Sequence, residues 1–454
     1  MDKTSAKKMG LVAVTGLVVA NVMGSGIAML PAQLAAFGGI TIISWVITLI
    51  GAVALALVFA ELGAEERTVG GPVAYAKEVA PVFGFQSGVI YYMANWIGNI
   101  AIAMTGVSYL ATFVPILAQP IPATIASIAI IWIMTILNFF GGKWISKIAT
   151  IGVTCMLIPV ILTALFGWFK FDASTYAANW NVAQGSSAGM TVMQGVLLCL
   201  WSFIGIESAS VSSGNIDNPK KTVPRATMIG VVFAGIIYII SSQVMLGMFS
   251  AKDLAASTAP FALSTGDLVG SWVKPVVSFI TMMTCFTALS SWMLLVSESA
   301  QTSAEAGDFP KIFKDLNGKG VPAKGLVLTS IMMTALLVIL TLLGGGDRGS
   351  NEIFKDVINI AVLLTMIPYV YSAMNLFRFG ERKRKGILVL GAAVLALIFC
   401  LVAISGGGVV SITGTFITSL VVLLFYARKE GLEQRDRAEA AAAKRRREKE
   451  GGNK

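Results

Sequence analysis

The sequence predicts an all-α integral membrane protein with twelve transmembrane helices. Hydrophobic residues make up 56% of its 454 residues and charged residues only 13%, and its mean hydropathy is +0.79. Apolar segments of about 20 residues, enough to cross a hydrocarbon core of about 30 Å, recur along nearly the whole chain. The predicted spans are 11–37, 40–63, 84–114, 121–139, 148–169, 190–213, 225–248, 272–300, 325–344, 353–377, 386–404 and 409–427.

The distribution of Lys and Arg predicts that both termini are cytoplasmic. An even number of crossings places the two termini on one side, and all but five of the 34 Lys and Arg residues fall on that side. By the positive-inside rule this side faces the cytoplasm. The first apolar segment is longer than a signal-peptide core and lacks a cleavage pattern, so we interpret it as helix 1.

Several kinds of chemistry are disfavoured by the composition. The net charge of +10 follows from the basic cytoplasmic loops and tail, so it does not indicate a nucleic-acid partner. The chain has no histidine, and its four cysteines lie in apolar segments without CxxC spacing. We therefore expect no disulfide framework, no metal site and no cofactor. An intramembrane enzyme is disfavoured because no nucleophile–base pair is evident.

Two of the predicted helices are interrupted at corresponding positions. Helix 1 contains Gly24, Ser25 and Gly26 near its centre, and helix 6 contains Gly205 and Glu207 at a comparable depth. Paired breaks of this kind indicate a transporter built from inverted repeats. The predicted units are a cytoplasmic N-terminus (1–10), a first repeat of helices 1–5 (11–185), a second repeat of helices 6–10 (186–380), two extra helices (381–427) and a charged cytoplasmic tail (428–454).

Unwound backbone inside a bilayer is costly unless it lines a cavity in the protein. The partial positive charge at a half-helix N-terminus favours a carboxylate, and exposed carbonyls favour an ammonium group. A site that combines both fits an amino acid. The alternative is that the glycines only allow close helix packing.

Two carboxylates inside the predicted spans are candidates for proton coupling. Glu207 is the deeper, and an ionised carboxylate there needs a cavity, a cation or a proton. We expect Glu207 to sense or carry a proton, with a helix-end cap as the alternative. Glu298 lies late in helix 8, and its role is open between structure and coupling.

Aromatic and amide residues at mid-span depth suit a cationic ligand. In helix 3, Tyr91, Asn95 and Asn99 follow at i, i+4 and i+8 and form one polar stripe. Aromatic faces attract desolvated ammonium groups by about 2 kcal/mol. Further aromatic candidates are Trp201 in helix 6, Trp292 in helix 8 and Tyr369 in helix 10, with packing as the alternative role for each.

Several ordered motifs between about Lys8 and Arg428 carry a family resemblance. The chain resembles the basic amino acid/polyamine antiporters of the amino acid–polyamine–organocation superfamily through the motifs NVMGSGIAMLP, GGPVAYA, YYMANWIGNIA, LWSFIGIESASV, NPKKTVPRAT, STAPFA, DFPKIF and LLTMIPYVYS. The resemblance implies a bacterial inner-membrane exchanger that imports a cationic amino acid and expels its decarboxylated amine. Lysine and cadaverine are the favoured pair. The resemblance also implies a functional partnership with a cytoplasmic decarboxylase, a contribution to acid resistance, contacts with membrane lipids and a homodimer.

The resemblance also implies the roles of individual residues. Backbone groups at Asn21, Ser25, Gly26, Ile204 and Gly205 would hold the α-amino and carboxyl groups of the substrate. The side chains around the rest of the substrate would be Trp201 and Trp292 as a sandwich, Tyr91 and Tyr369 as gates, Ala94, Asn95 and Asn99 at its distal end, and Glu207 as the proton-sensitive group.

Two positions depart from the family pattern. Asn95 replaces a small thiol of the arginine exchangers, and Glu298 replaces an amide, so substrate choice and coupling can differ from those relatives. The alternative functions are arginine/agmatine exchange, ornithine/putrescine exchange, and proton-coupled import of a cationic amino acid or polyamine.

Overall fold

The computed structural model describes residues 8–23, 25–64, 71–140, 143–183, 185–343, 349–378 and 386–451. Within these ranges the chain is helical, with one isolated β-bridge. The first nine helices are α1 Leu11–Val22, α2 Ser25–Ala35, α3 Thr41–Gly63, α4 Gly71–Val79, α5 Pro81–Leu110, α6 Pro120–Asn138, α7 Lys143–Phe166, α8 Ala173–Ala178 and α9 Ala188–Trp201. The others are α10 Ser208–Val211, α11 Pro219–Met248, α12 Ala251–Ala256, α13 Pro260–Val269, α14 Val273–Glu305, α15 Ala323–Leu343, α16 Ser350–Asn375, α17 Ile387–Ser405 and α18 Val409–Gly451.

Nine helices of the described residues are long and apolar enough to cross a membrane, and there are ten if the bent pair α1 and α2 forms one broken span. The nine are α3, α6, α7, α11, α14, α15, α16, α17 and α18. The chain is thus a multi-pass membrane protein. The other two of the twelve predicted spans coincide with the 30-residue α5 and with α9 followed by α10, and their crossing stays a prediction.

The first predicted helix is broken where its glycines stand. α1 ends at Val22, α2 begins at Ser25, and the two axes are bent by 43°. Gly24 lies outside the described residues, and Ser25 is described only in its backbone. Glycine lowers helix stability because it loses the most backbone freedom on ordering, so this tripeptide is a weak point in an otherwise apolar helix.

The sixth predicted helix is also broken. α9 ends at Trp201 and the short α10 begins at Ser208. Tight i→i−3 hydrogen bonds connect residues 199–208 between them. Gly205 has a φ of +105°, a conformation that side chains with a Cβ disfavour. Glycine at this position therefore allows the chain to leave the helical path.

Small and hydroxylated side chains hold the helices together. The Ser44 hydroxyl on α3 donates to the Val192 carbonyl on α9 at 2.9 Å, and the hydroxyls of Thr163 and Ser264 lie 2.7 Å apart between α7 and α13. Such contacts suit a membrane, where apolar side chains gain little by leaving lipid for protein. α1 contacts α10, and α2 contacts both α9 and α5. These contacts bring the two broken helices and α5 together.

The charged tail continues the last helix. The sequence predicts a partly helical extension after residue 427, and α18 runs without interruption from Val409 to Gly451. Its Ala, Glu, Lys and Arg residues are strong helix formers. The tail is also tied to the core, because Lys429 forms an ion pair with Asp308 and lies 5.5 Å from the centre of the Phe85 ring.

Candidate functional site

Glu207 lies at the break between α9 and α10 and is 2% exposed. Tyr91 on α5 donates its hydroxyl to Oε1 at 2.6 Å, and Tyr369 on α16 donates to Oε2 at 2.6 Å. The backbone N–H of Gly205 donates to Oε2 at 3.2 Å. Three helical elements that are distant in sequence therefore meet at one carboxylate.

The charge of Glu207 is balanced by dipoles. Among the described residues, no Lys or Arg side chain forms an ion pair with it. Burying a carboxylate costs several kcal/mol unless hydrogen bonds or a cation compensate. The two phenols and one amide supply hydrogen bonds without a full positive charge. A bound cation would therefore be electrostatically favoured at this position.

The two breaks are in direct contact. A Cβ atom added to Gly205 would lie 3.3 Å from the backbone oxygen of Asn21 on α1. Tyr238 on α11 donates its hydroxyl to the Val22 carbonyl at 2.7 Å and reaches the Ser202 carbonyl at 3.4 Å. One buried phenol thus satisfies carbonyl groups that each break releases from the helical pattern.

Trp201 is placed by two glycines. A Cβ at Gly26 on α2 would lie 3.6 Å from its Nε1, and a Cβ at Gly98 on α5 would lie 3.0 Å from its Cη2. The indole therefore fits between two helix surfaces that lack side chains. It is 9% exposed, and its N–H has no acceptor among the described residues. An unpaired buried donor is costly, so this position favours a ligand or a water molecule that accepts from it.

The predicted polar stripe lies along α5. Asn95 donates its amide back to the Tyr91 carbonyl at 2.7 Å, which ties this side chain to its own helix. Asn99 is 1% exposed, and its Nδ2 has no partner in the described part of the chain. Ala94 is buried on the same helix. Asn99 is thus the free donor of the stripe, and Asn95 is the constrained member.

The other predicted site residues are placed as follows. Asn21 on α1 donates its amide to the Leu17 carbonyl at 3.0 Å, so its side chain is bonded within the helix while its backbone faces Gly205. Ile204 is half-buried in the turn between α9 and α10. Tyr369 is fully buried, and Phe59 packs edge-on against its ring at 4.9 Å.

The two candidates on α14 lie outside the Glu207 hydrogen-bond cluster. Trp292 is half-buried against the core. Its helix is fixed nearby, because Asn138 and Ser290 exchange hydrogen bonds of 3.0 and 2.9 Å between α6 and α14. Glu298 has an exposed side chain, and its carbonyl accepts from the Thr302 hydroxyl. The structure therefore separates the two carboxylates that the sequence treats together.

Sequence reasoning missed Tyr238 and Trp96. Tyr238 is a phenol in an otherwise apolar stretch of α11, a signal that could have marked it. Trp96 on α5 is 6% exposed, and its Nε1 lacks an acceptor within the described residues. The described residues also contain no group of three His, Cys, Asp or Glu side chains placed to hold a metal ion.

Comparison with known proteins places the chain among transporters. It is 50% identical over 426 residues to the cadaverine/lysine antiporter of Escherichia coli strain K12, which covers 94% of this chain and 96% of the relative. The putrescine transporter PotE of the same strain is 34% identical over 380 residues, with coverages of 82% and 84%. PotE of Haemophilus influenzae is 33% identical over 371 residues, with coverages of 81% and 83%.

The family model described as "Amino acid permease" matches residues 9–426, which include both helix breaks and the whole Glu207 cluster. This match agrees with the resemblance that the sequence motifs carry. The chain therefore belongs to the amino acid permease family.

Proposed function

We propose that the protein exchanges external lysine for internal cadaverine by alternating access. The observation that carries this proposal is a buried carboxylate, held by two phenols at the meeting point of two broken helices, in a chain 50% identical to a cadaverine/lysine antiporter. The carboxylate and the nearby aromatic side chains suit a cation, and the broken helix ends suit an amino acid. Family membership makes the protein a transporter and not an enzyme.

The proposed topology has twelve spans in the inner membrane, with both termini cytoplasmic. α1–α2 and α9–α10 then form the broken first helices of a five-plus-five inverted repeat, and α17 and α18 lie outside it. The positive-inside distribution and the paired breaks support this arrangement. A homodimer and contacts with membrane lipids belong to the same proposal.

The substrate would bind where the breaks expose backbone groups. The carboxylate of lysine would accept from N–H groups near Ser25 and Gly26, and its α-ammonium group would donate to carbonyls near Asn21 and Ile204. The apolar stem would lie between Trp201 and Trp292, and the distal ammonium group would approach Ala94, Asn95 and Asn99. Cadaverine keeps the distal contacts and lacks the carboxylate.

Protonation of Glu207 would change the connections among the helices. In the structure both Tyr91 and Tyr369 donate to the Glu207 side chain, a pattern that an ionised carboxylate can accept. A protonated carboxyl group donates through one oxygen, and if the proton lies where a phenol now donates, that phenol has to turn from donor to acceptor or lose its contact. Proton binding would thus loosen the link between α10 and either α5 or α16. This gives a physical route from pH to the reorientation of the carrier.

Exchange would follow if only the loaded carrier turns readily, since a ligand shifts the conformational equilibrium by its differential affinity for the two states. A cytoplasmic decarboxylase that converts lysine to cadaverine and carbon dioxide consumes one proton. Coupled import and export would then remove acid from the cell.

Proposed alternatives are proton-coupled import and the arginine/agmatine or ornithine/putrescine pairs, the last supported by the 34% identity to PotE.

Vesicle counterflow tests the substrate pair. Proteoliposomes preloaded with cadaverine should take up labelled lysine faster than empty vesicles do. This rate should also exceed the uptake of arginine by agmatine-loaded vesicles and the uptake of ornithine by putrescine-loaded vesicles. Entry of lysine into empty vesicles at the same rate, driven by a proton gradient, would instead support the importer. Faster exchange of another pair would overturn the assignment of lysine and cadaverine.

Glu207→Gln should flatten the pH dependence of exchange while leaving the fold and most of the cadaverine affinity intact, because glutamine keeps the shape and cannot titrate. The measurement is the counterflow rate across the acid to neutral range. Glu305→Gln, which changes an exposed carboxylate on α14, is the matched control and should keep the wild-type profile. A pH profile of Glu207→Gln identical to that of the wild type would contradict the proton-coupling role of Glu207. The pH profile of Glu298→Gln decides whether Glu298 shares that role.

Trp292→Leu should weaken binding of both substrates by about 2 kcal/mol, or about 30-fold, through loss of the aromatic face. The melting temperature should change far less than the affinity. Trp272→Leu, at an exposed tryptophan before the same helix, is the control and should bind as wild type does. Equal losses of affinity and stability in Trp292→Leu would assign Trp292 to packing.

A further inference from the structure

The isolated β-bridge joins the segment before α1 to the segment after α10. Met9 donates its backbone N–H to the Asn215 carbonyl at 2.9 Å, and Asp217 donates its N–H to the Met9 carbonyl at 2.9 Å. The partner of Met9 in this parallel bridge is Ile216, which is fully buried. It is the one strand-like pairing among the described residues. The sequence gives no sign of it, because backbone groups make both bonds.

The bridge connects one half of each broken helix. Met9 stands two residues before α1, and Ile216 stands five residues after α10. At its other end, α1 contacts the second break through Gly205 against the Asn21 backbone, and Tyr238 reaches a carbonyl of each break. α1 and α10 also contact each other directly. α1 is therefore fastened at both ends to the segment 202–216.

The loop that carries the bridge is itself tightly built. Asn215 donates its N–H to the Ser212 carbonyl at 2.9 Å, and the Thr222 hydroxyl donates to the Asp217 carbonyl at 2.7 Å. Asn218 has a φ of +45°, the single positive value for a non-glycine in the described chain. This conformation costs about 1 kcal/mol and persists where its surroundings hold it. The loop thus keeps Ile216 in position to pair with Met9.

We propose that the Met9–Ile216 bridge makes α1 and α10 one rigid unit that stays joined while the carrier turns. Each break is a hinge, so the two half-helices could otherwise tilt independently of α2 and α9. The backbone bridge passes the movement of one half-helix to the other. Substrate released from one break is then released from both. This inference rests on the proposed exchange function. The role it gives to the bridge is in reorientation of the carrier and not in substrate binding.

Proline scanning separates turnover from affinity. Met9→Pro removes the N–H that donates to the Asn215 carbonyl, and Lys8→Pro is the matched control one residue earlier. We expect Met9→Pro to slow lysine/cadaverine counterflow by about tenfold, with dissociation constants within about twofold of wild type. Lys8→Pro should exchange at the wild-type rate. Unchanged exchange in Met9→Pro, or an equal loss of affinity and rate, would overturn the proposal.

Cross-linking tests whether the bridge stays closed, and does so without removing it. Paired strands lie about 4.8 Å apart, within the Cα spacing that a disulfide spans. Met9→Cys combined with Ile216→Cys should therefore cross-link on oxidation, and the cross-linked protein should keep its exchange activity. Each single cysteine variant controls for oxidation of the native thiols.

Block of exchange by the cross-link, with recovery on reduction, would show a latch that opens in each cycle and would overturn the proposal. Failure of the pair to cross-link would overturn it as well, and this result needs no transport assay. If wild-type protein does not exchange lysine for cadaverine, the proposed function fails, and the cross-linking yield still tests the bridge.

Discussion

The structure depends on one constraint, a buried carboxylate that must be satisfied at the place where two helices give up their own hydrogen bonds. Glu207 takes two phenols and one backbone amide as donors and has no cationic side chain beside it among the described residues. Each donor comes from a different element, so the carboxylate fixes α5, α16 and the α9–α10 turn relative to one another. A proton placed where either phenol now donates would alter that contact.

The same constraint explains the use of glycine around the site. Gly205 lets the chain turn back so that its own amide reaches the carboxylate, and Gly26 and Gly98 leave room for the Trp201 indole. A Cβ at Gly26, Gly98 or Gly205 would lie 3.0–3.3 Å from its nearest neighbour, so a side chain there would push that neighbour away by a few tenths of an ångström. The apolar helices around the site are less demanding, because lipid-facing residues pack with few specific requirements.

The sequence is sufficient for the features that depend on local composition. Apolar length predicts the nine helices of the described residues that can cross a membrane, and both breaks lie where Gly24–Gly26 and Gly205 predict them. It also identifies Tyr91, Glu207 and Tyr369 one by one. Their meeting could not be predicted, because they are 116 and 162 residues apart and only the packing of α5 and α16 brings them together.

Other features depend on contacts that the sequence does not show. Tyr238 stands out as a phenol in an apolar stretch of α11, but its contacts with both breaks do not follow from that stretch, and the Met9–Ile216 bridge uses backbone groups that every residue carries. The sequence leaves the role of Glu298 open between structure and coupling, and the fold gives its side chain an exposed position on α14. Burial, which separates Glu207 from Glu298, is a property of helix packing.

The most direct test of the central claim is an experimental structure with lysine bound in a lipid bilayer. The account predicts density for the lysine α-amino and carboxyl groups between Asn21–Gly26 and Trp201–Gly205, with both helices interrupted and the lysine stem beside Trp201. Density for lysine elsewhere, or unbroken helical hydrogen bonding through either segment, would contradict it.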